Sequence, residues 1–294
     1  MAIDNFNISN RSGTQLALWH FSSNDAIADK GLSLSPAMNR SVAVVLAHGT
    51  FSNHRSCRGL AQFLSKKGFS CWILDFQGHG ASDKPIIEPD FESMCLEDVD
   101  AVLEHLKKNG FPSVYWIGHS GGGLAALMHQ SRQSKQGVAI EKLVVLGSQA
   151  THAGRNYKNR CLIRISRQIT RMMGIAPGRY FGIGPENEFA KVMLQWYDWS
   201  LSGKWQGSDG FDYEAALSKI RVPFLCFAGE GDTFIAPVDG CRHIFEKFGG
   251  TEKTFHYCGK TTGYAENYTH SRLISSSSAA KEIWPLVADW LKKT

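Results

Sequence analysis

The chain has 294 residues, of which 43% are hydrophobic, 11% aromatic and 20% charged, a composition that excludes a disordered or fibrous protein and suits one large α/β domain or a core with an insertion. The formal charge of +5 is modest, and Lys and Arg are scattered except over 155–179, which holds no acidic residue. No nucleic-acid reading module carries these basic residues, so the expected partner is a small-molecule or lipid ester, with no nucleic acid; an anionic substrate or a lipid surface suits the local basic stretch.

The first residues, Met1 to Asn5, show no basic and then apolar leader, and no apolar run reaches the ~18 residues of a membrane span. The expectation is a cytoplasmic protein with no integral membrane segment. The seven cysteines form no C-x-x-C pair, and their odd number reads as reduced thiols rather than a disulfide framework.

In chain order, Phe6–Phe21 gives two short β-like runs around the turn-rich Ser9–Gly13, which predicts a hairpin. A polar connector covers Ser22–Arg40. Strand-like and helix-like runs then alternate: Val42–Ala47, Ser56–Lys67, Ser70–Asp75, Phe91–Lys108, Val114–Ile117, Leu124–Gln133 and Leu143–Leu146. That rhythm predicts a parallel sheet with helices on both faces. From Gln149 to about Tyr213 it breaks, with helix-like pieces at Asn159–Met173 and Glu188–Leu201 and no strand signal. It resumes with Pro223–Ala228, Val238–Phe248, Lys253–Tyr257 and Ser277–Lys292. The expected organisation is an α/β core over 1–149 and 214–294, interrupted by an inserted helical cap over 150–213.

Gly118-His119-Ser120-Gly121-Gly122 is a G-x-S-x-G string placed directly after one strand and directly before one helix. That context is what a nucleophile elbow requires, because the tight turn throws the serine forward and the glycines allow close backbone approach. A serine hydroxyl needs a base, and the base an orienting carboxylate, in the chain order Ser, acid, His. Asp232 follows the strand Phe224–Ala228, with Glu230 as the alternative; His270 follows the last strand, with His256 as the alternative. The oxyanion donors are expected to be the backbone N–H groups of Gly121 and Thr50, with Phe51 as the alternative to Thr50. His48 is read as structural, and His54 with Cys57 forms no convincing metal set.

Ala47-His48-Gly49, Leu74-Asp75-Phe76-Gln77-Gly78-His79-Gly80-Ala81-Ser82, the elbow, Gly229-Glu230-Gly231-Asp232 and His270-Ser271-Arg272 together resemble the α/β-hydrolases of the esterase/lipase branch, over about Val42 to Leu291. The resemblance implies a mostly parallel sheet, a triad of Ser120, Asp232 and His270, no cofactor or metal, and a cap above the site. The expected reaction is hydrolysis of a carboxylic ester through an acyl-enzyme. A thioesterase, a C–C hydrolase, a perhydrolase or a non-catalytic ligand-binding protein of the same fold remain as alternatives, and oligomeric state is open.

In the cap, Arg160, Arg164, Arg167 and Arg171 recur at helical spacing among Leu162, Ile163, Ile165, Ile169, Met172 and Met173. One reading is a solvated charged face over ordinary packing. The other is an amphipathic lid whose apolar face lines an acyl pocket with Trp196, Tyr197 and Trp199, while its arginines attract anionic lipid. On the second reading the pocket comprises Phe51, Ile165, Ile169, Trp196 and Trp199, with His119, itself a packing residue beside the serine, at its border.

Overall fold

The computed structural model describes residues 3–22, 42–132 and 137–293; the connector expected at 23–40, and Gln133 at the end of an expected helix, lie outside the described residues. The hairpin forms as β1 (Ile3–Ser9) and β2 (Gln15–Phe21). Next come β3 (Val42–Ala47), α1 (Arg55–Lys66), β4 (Ser70–Leu74), α2 (Phe91–Lys108), β5 (Ser113–His119), α3 (Gly121–Arg132) and β6 (Ala139–Leu146). The chain then leaves the sheet through α4 (Tyr157–Met173), β7 (Ile175–Ala176), β8 (Glu188–Phe189), α5 (Ala190–Ser202) and α6 (Tyr213–Leu217). It returns as β9 (Phe224–Gly229), α7 (Val238–Lys247), β10 (Lys253–Cys258), α8 (Arg272–Ser275) and α9 (Ser277–Lys292).

Eight strands form one sheet in the order β1-β2-β4-β3-β5-β6-β9-β10, antiparallel only where β2 meets β1 and β4. Side chains alternate across a strand, so each central strand feeds two separate cores. Val45 and Ala47 of β3 pack with α2, α3 and α7, whereas Val44 and Leu46 pack with α1 and α9. This two-sided burial is why the strands read as continuous apolar runs rather than alternating ones. The start of α2 is fixed by a capping box between Asp90 and Ser93, which satisfies backbone N–H groups that the first helical turn leaves open.

Between β6 and β9 one expectation fails. β7 and β8 pair antiparallel, Ile175 with Phe189 and Ala176 with Glu188, where no strand signal is present in the sequence. Two residues per strand leave no periodicity to read, and only the register of two remote segments creates the pairing.

Asp75, just beyond β4, ties the hairpin, α1 and the following loop together. Its buried carboxylate accepts from Trp19 Nε1 at 2.9 Å, the His54 backbone N–H at 2.6 Å, His54 Nδ1 at 2.8 Å and the Ala81 N–H at 3.1 Å. Burial alone would raise its pKa, but the His54 hydrogen bonds and the neighbouring imidazoles bring it below the ordinary carboxylate range. Replacing Asp75 with Ala leaves these donors facing apolar surroundings, so a loss of about 3–5 kcal/mol is expected. Chemical denaturation of Asp75→Ala measures it, and a variant within about 0.5 kcal/mol of the wild type would contradict the assignment of Asp75 as a stabilising hub.

Candidate active site

β5 runs directly into Ser120, whose φ of 53° lies in the left-handed region that non-glycine residues rarely occupy. The surrounding glycines make this turn sterically feasible. A Cβ at Gly118 would sit 2.2 Å from Gly123 N, and one at Gly122 would sit 2.3 Å from the Ala47 carbonyl oxygen. The Ser120 N–H donates to the Leu146 carbonyl at 2.9 Å, and Ser148 Oγ donates to the Ser120 carbonyl at 2.8 Å, so β6 clamps the turn from both sides. Helix α3 begins at the next residue.

Two loops from the far side of the sheet converge here. Asp232 follows β9 and His270 precedes α8, and His270 Nδ1 lies 2.6 Å from Asp232 Oδ2. The other Asp232 oxygen accepts from the backbone N–H groups of Ile235 at 3.1 Å and Ala236 at 3.0 Å. Burial pushes the Asp232 pKa up, but the His270 hydrogen bond and charge, together with the Ala236 N–H, leave it below the usual range. The His270 ring rests over Gly147, where a Cβ would approach Nδ1 to 3.3 Å. Ser120 Oγ makes no hydrogen bond among the described residues.

Neither alternative joins this group. Glu230 accepts from Thr261 Oγ1 at 2.9 Å, and His256 stacks on Phe227 with ring centroids 4.9 Å apart. His119 faces His270: its Nε2 donates to the His270 carbonyl at 2.9 Å, and burial, followed by the His270 charge, holds its pKa down at about 3. It therefore braces the histidine loop as a neutral donor.

The loop after β3 lies against Ser120, since a Cβ at Gly49 would be 2.7 Å from Ser120 Cβ. Thr50 N faces Gly121, where a Cβ would be 3.3 Å away, whereas the Phe51 N–H is already taken by Glu188 Oε2 at 3.3 Å. Phe51 itself has a φ of 60° and is held from above, its carbonyl accepting from the Glu186 N–H at 3.0 Å. Only about 10 Å³ of cavity remains beside Thr50 and Gly121, bounded by His79, Met94 and Glu188.

Glu188 and His79 escape the sequence reading. A glutamate opening a helix-like run reads as a partner for the helix dipole, yet in the fold it is fully buried against the loop after β4. His79 Nε2 lies 3.1 Å from Glu188 Oε2, a charge pairing rather than an aligned hydrogen bond, and His79 Nδ1 donates to the Gln77 carbonyl at 3.0 Å. Burial would lower the His79 pKa, but the Glu188 carboxylate raises it to about 9. His48, by contrast, is held down at about 4 by burial and then by the His79 charge. The one available signal was His79 itself, in the Gly78-His79-Gly80 string.

The pocket expected beneath the cap is not formed by α4. Ile165 is 57% exposed, and Leu162, Met172 and Met173 also face outward. The inner face of α4 is mixed: Ile163 is fully buried in the main core, while beside it Asn159 Nδ2 donates to the Thr233 carbonyl at 3.1 Å and Thr170 is buried toward Tyr197. Satisfied polar groups can be buried beside Ile163, so only part of the apolar set read from periodicity faces inward. Ile169 is half-buried, while Trp196 and Trp199 are buried in the main core, Trp199 against Phe91 at 5.3 Å. No described helix is long and apolar enough to cross a membrane.

A family model for the alpha/beta hydrolase fold matches residues 42–152. The AB hydrolase superfamily protein YisY of Bacillus subtilis (strain 168) is 26% identical over 216 residues, covering 68% of this chain and 78% of that protein. A carboxylesterase of the same organism is 31% identical over 85 residues, 29% of this chain and 34% of the other. Among solved structures, the esterase EaEST from Exiguobacterium antarcticum superposes with a TM-score of 0.67 at 18% identity, covering 99% of this chain and 100% of that one. The fold is that of the α/β-hydrolases.

The His79–Glu188 pair makes stability depend on pH. A histidine raised from 6.5 to about 9 contributes stability that is fully present below about pH 6.5 and is lost as pH rises through about 9. Chemical denaturation should therefore show a decline of the order of 3 kcal/mol across that window, much reduced in His79→Gln. An equal decline in both proteins would contradict the pairing.

Proposed function

We propose that this α/β-hydrolase cleaves a carboxylic ester through an acyl-enzyme on Ser120, with His270 as general base and Asp232 orienting it. The 2.6 Å contact between His270 Nδ1 and Asp232 Oδ2, made beside the elbow by residues 38 positions apart, is the observation that carries this reading. An ionised Asp232 accepts a hydrogen bond from Nδ1–H, keeping the proton on Nδ1 and so leaving Nε2 as the basic nitrogen.

In the first half-reaction Nε2 takes the Ser120 proton as Oγ attacks the ester carbonyl. The Thr50 and Gly121 N–H groups receive the developing oxyanion, which fits the engagement of Phe51 N–H elsewhere. Collapse breaks the ester C–O bond, and the departing alcohol takes the proton from His270. Water, deprotonated by the same nitrogen, then attacks the acyl-enzyme and releases the carboxylic acid and free Ser120. Asp232 accepts two backbone N–H bonds besides that of His270, which stabilises its anionic form throughout.

Residues 150–213 fit the role of a cap, contributing Glu188 and the 178–186 loop over Phe51. The carboxylesterase relative and the esterase neighbour support ester chemistry over the other reactions open to this triad.

Labelling by a fluorophosphonate tests the nucleophile. The wild type should label and Ser120→Ala should not, with ester turnover falling by about 10⁵ or more. Asp232→Asn should fold normally and lose about 10⁴ in kcat, whereas Glu230→Gln should lose far less. Labelling retained without Ser120, or the two acid variants exchanging effects, would overturn the assignment.

A further inference from the structure

A second cavity, of about 210 Å³ and half open, lies where the exit of β6 meets α4, α5, α6 and α7. None of Ser120, Asp232, His270, Thr50 and Gly121 lines it. The groups that matter are Arg155 and Arg160 around the start of α4, His152, Glu214 of α6 and His243 of α7.

The guanidinium groups of Arg155 and Arg160 make no ion pair or hydrogen bond among the described residues, although both face this space. Arg167 of the same helix pairs with Asp198 at 2.8 Å, whereas Arg164 and Arg171, likewise without a partner among the described residues, are exposed and do not line this cavity. The single acid in the wall is already engaged, since Glu214 Oε1 lies 3.0 Å from His243 Nε2 and 3.6 Å from Lys247 Nζ. His152 is buried, its ring 4.6 Å from that of His243, with Nδ1 bonded to Thr151 Oγ1 at 2.9 Å and no hydrogen bond to Nε2 among the described residues. The cavity therefore has uncompensated positive charge and unused hydrogen-bonding groups. Burial first, and then the charges of Arg155 and His243 against those of Glu214 and Asp239, hold the His152 pKa down at about 4.

We propose that this cavity binds a small anion through a carboxylate or phosphate group held by Arg155 and Arg160, with His152 Nε2 as a further contact. Guanidinium forks match the paired oxygens of either group, and their charge needs no further desolvation of a protein carboxylate. The volume lies below the ~300–1,000 Å³ of pockets for drug-sized ligands, so the ligand is a compact metabolite rather than a chain. Because the walls come from α4, α5, α6 and α7, the bound anion also ties residues 150–213 to the core. Binding is independent of ester turnover at Ser120.

The test is calorimetric titration of the whole protein with inorganic phosphate and, separately, with citrate, at constant ionic strength set by sodium chloride. At least one anion should bind and raise the melting temperature, both in the wild type and in Ser120→Ala. Phosphate alone binding assigns a phosphate ligand; citrate alone assigns a carboxylate. Arg155→Ala combined with Arg160→Ala should weaken affinity at least about tenfold, and Arg160→Lys, which keeps the charge but loses the fork, by a smaller factor. The lysine variant decides the matter if the double variant does not fold. Absence of binding by both anions, or affinity unchanged by the arginine substitutions, would overturn the proposal.

Discussion

Holding Ser120 in the left-handed region is the constraint on which the rest of the site depends. An ordinary residue there is destabilised by of the order of 1–3 kcal/mol and persists only if its surroundings over-determine it. Here they do: the Ser120 N–H and carbonyl are both bonded to the β6 side, and β3 passes so close that Gly122 has no room for a side chain. Three adjacent parallel strands thus meet at one backbone turn. Their apolar runs fix the register, and the register fixes where the hydroxyl points.

Around that rigid turn the polar groups are organised by buried carboxylates. Asp232 positions His270 by one oxygen and anchors its own loop by the other. Glu188 reaches in from the segment between β6 and β9, engaging Phe51 N–H, Phe189 N–H and His79. Its role follows from that geometry: with Phe51 N–H committed, Thr50 N–H is left facing Gly121. A buried anion of this kind is tolerable only because its neighbours neutralise and hydrogen-bond it. The segment is therefore coupled to the core by electrostatics as well as by the packing of Phe51 beneath 178–184.

Much of this was legible in the sequence. The hairpin, the alternating strands and helices and the elbow each carry a local signature, because turn chemistry and two-sided burial act on neighbouring residues. Ser120 and Asp232 could be selected because each sits just past a strand, and His270 because it lies in the loop between the last strand and the closing helices; the fold brings the last two into contact. What escaped reading depends on remote partners. Glu188 gains its meaning only from His79 and Phe51, and β7 and β8 only from each other. The facing of α4 was only partly legible for the same reason: Ile163 packs inward, but Asn159 and Thr170 are buried beside it, Asn159 satisfied by the Thr233 carbonyl, which leaves Ile165 in solvent.

The acyl-enzyme is the central claim, and trapping it is the most direct measurement. The protein is mixed with a p-nitrophenyl acetate ester, quenched in acid within the first turnover, digested and examined by peptide mass spectrometry. The account predicts one acetyl group on the peptide carrying Ser120, disappearing as turnover completes. An acetyl group confined to another residue, or product released with no covalent adduct in the presence of ongoing turnover, would contradict it.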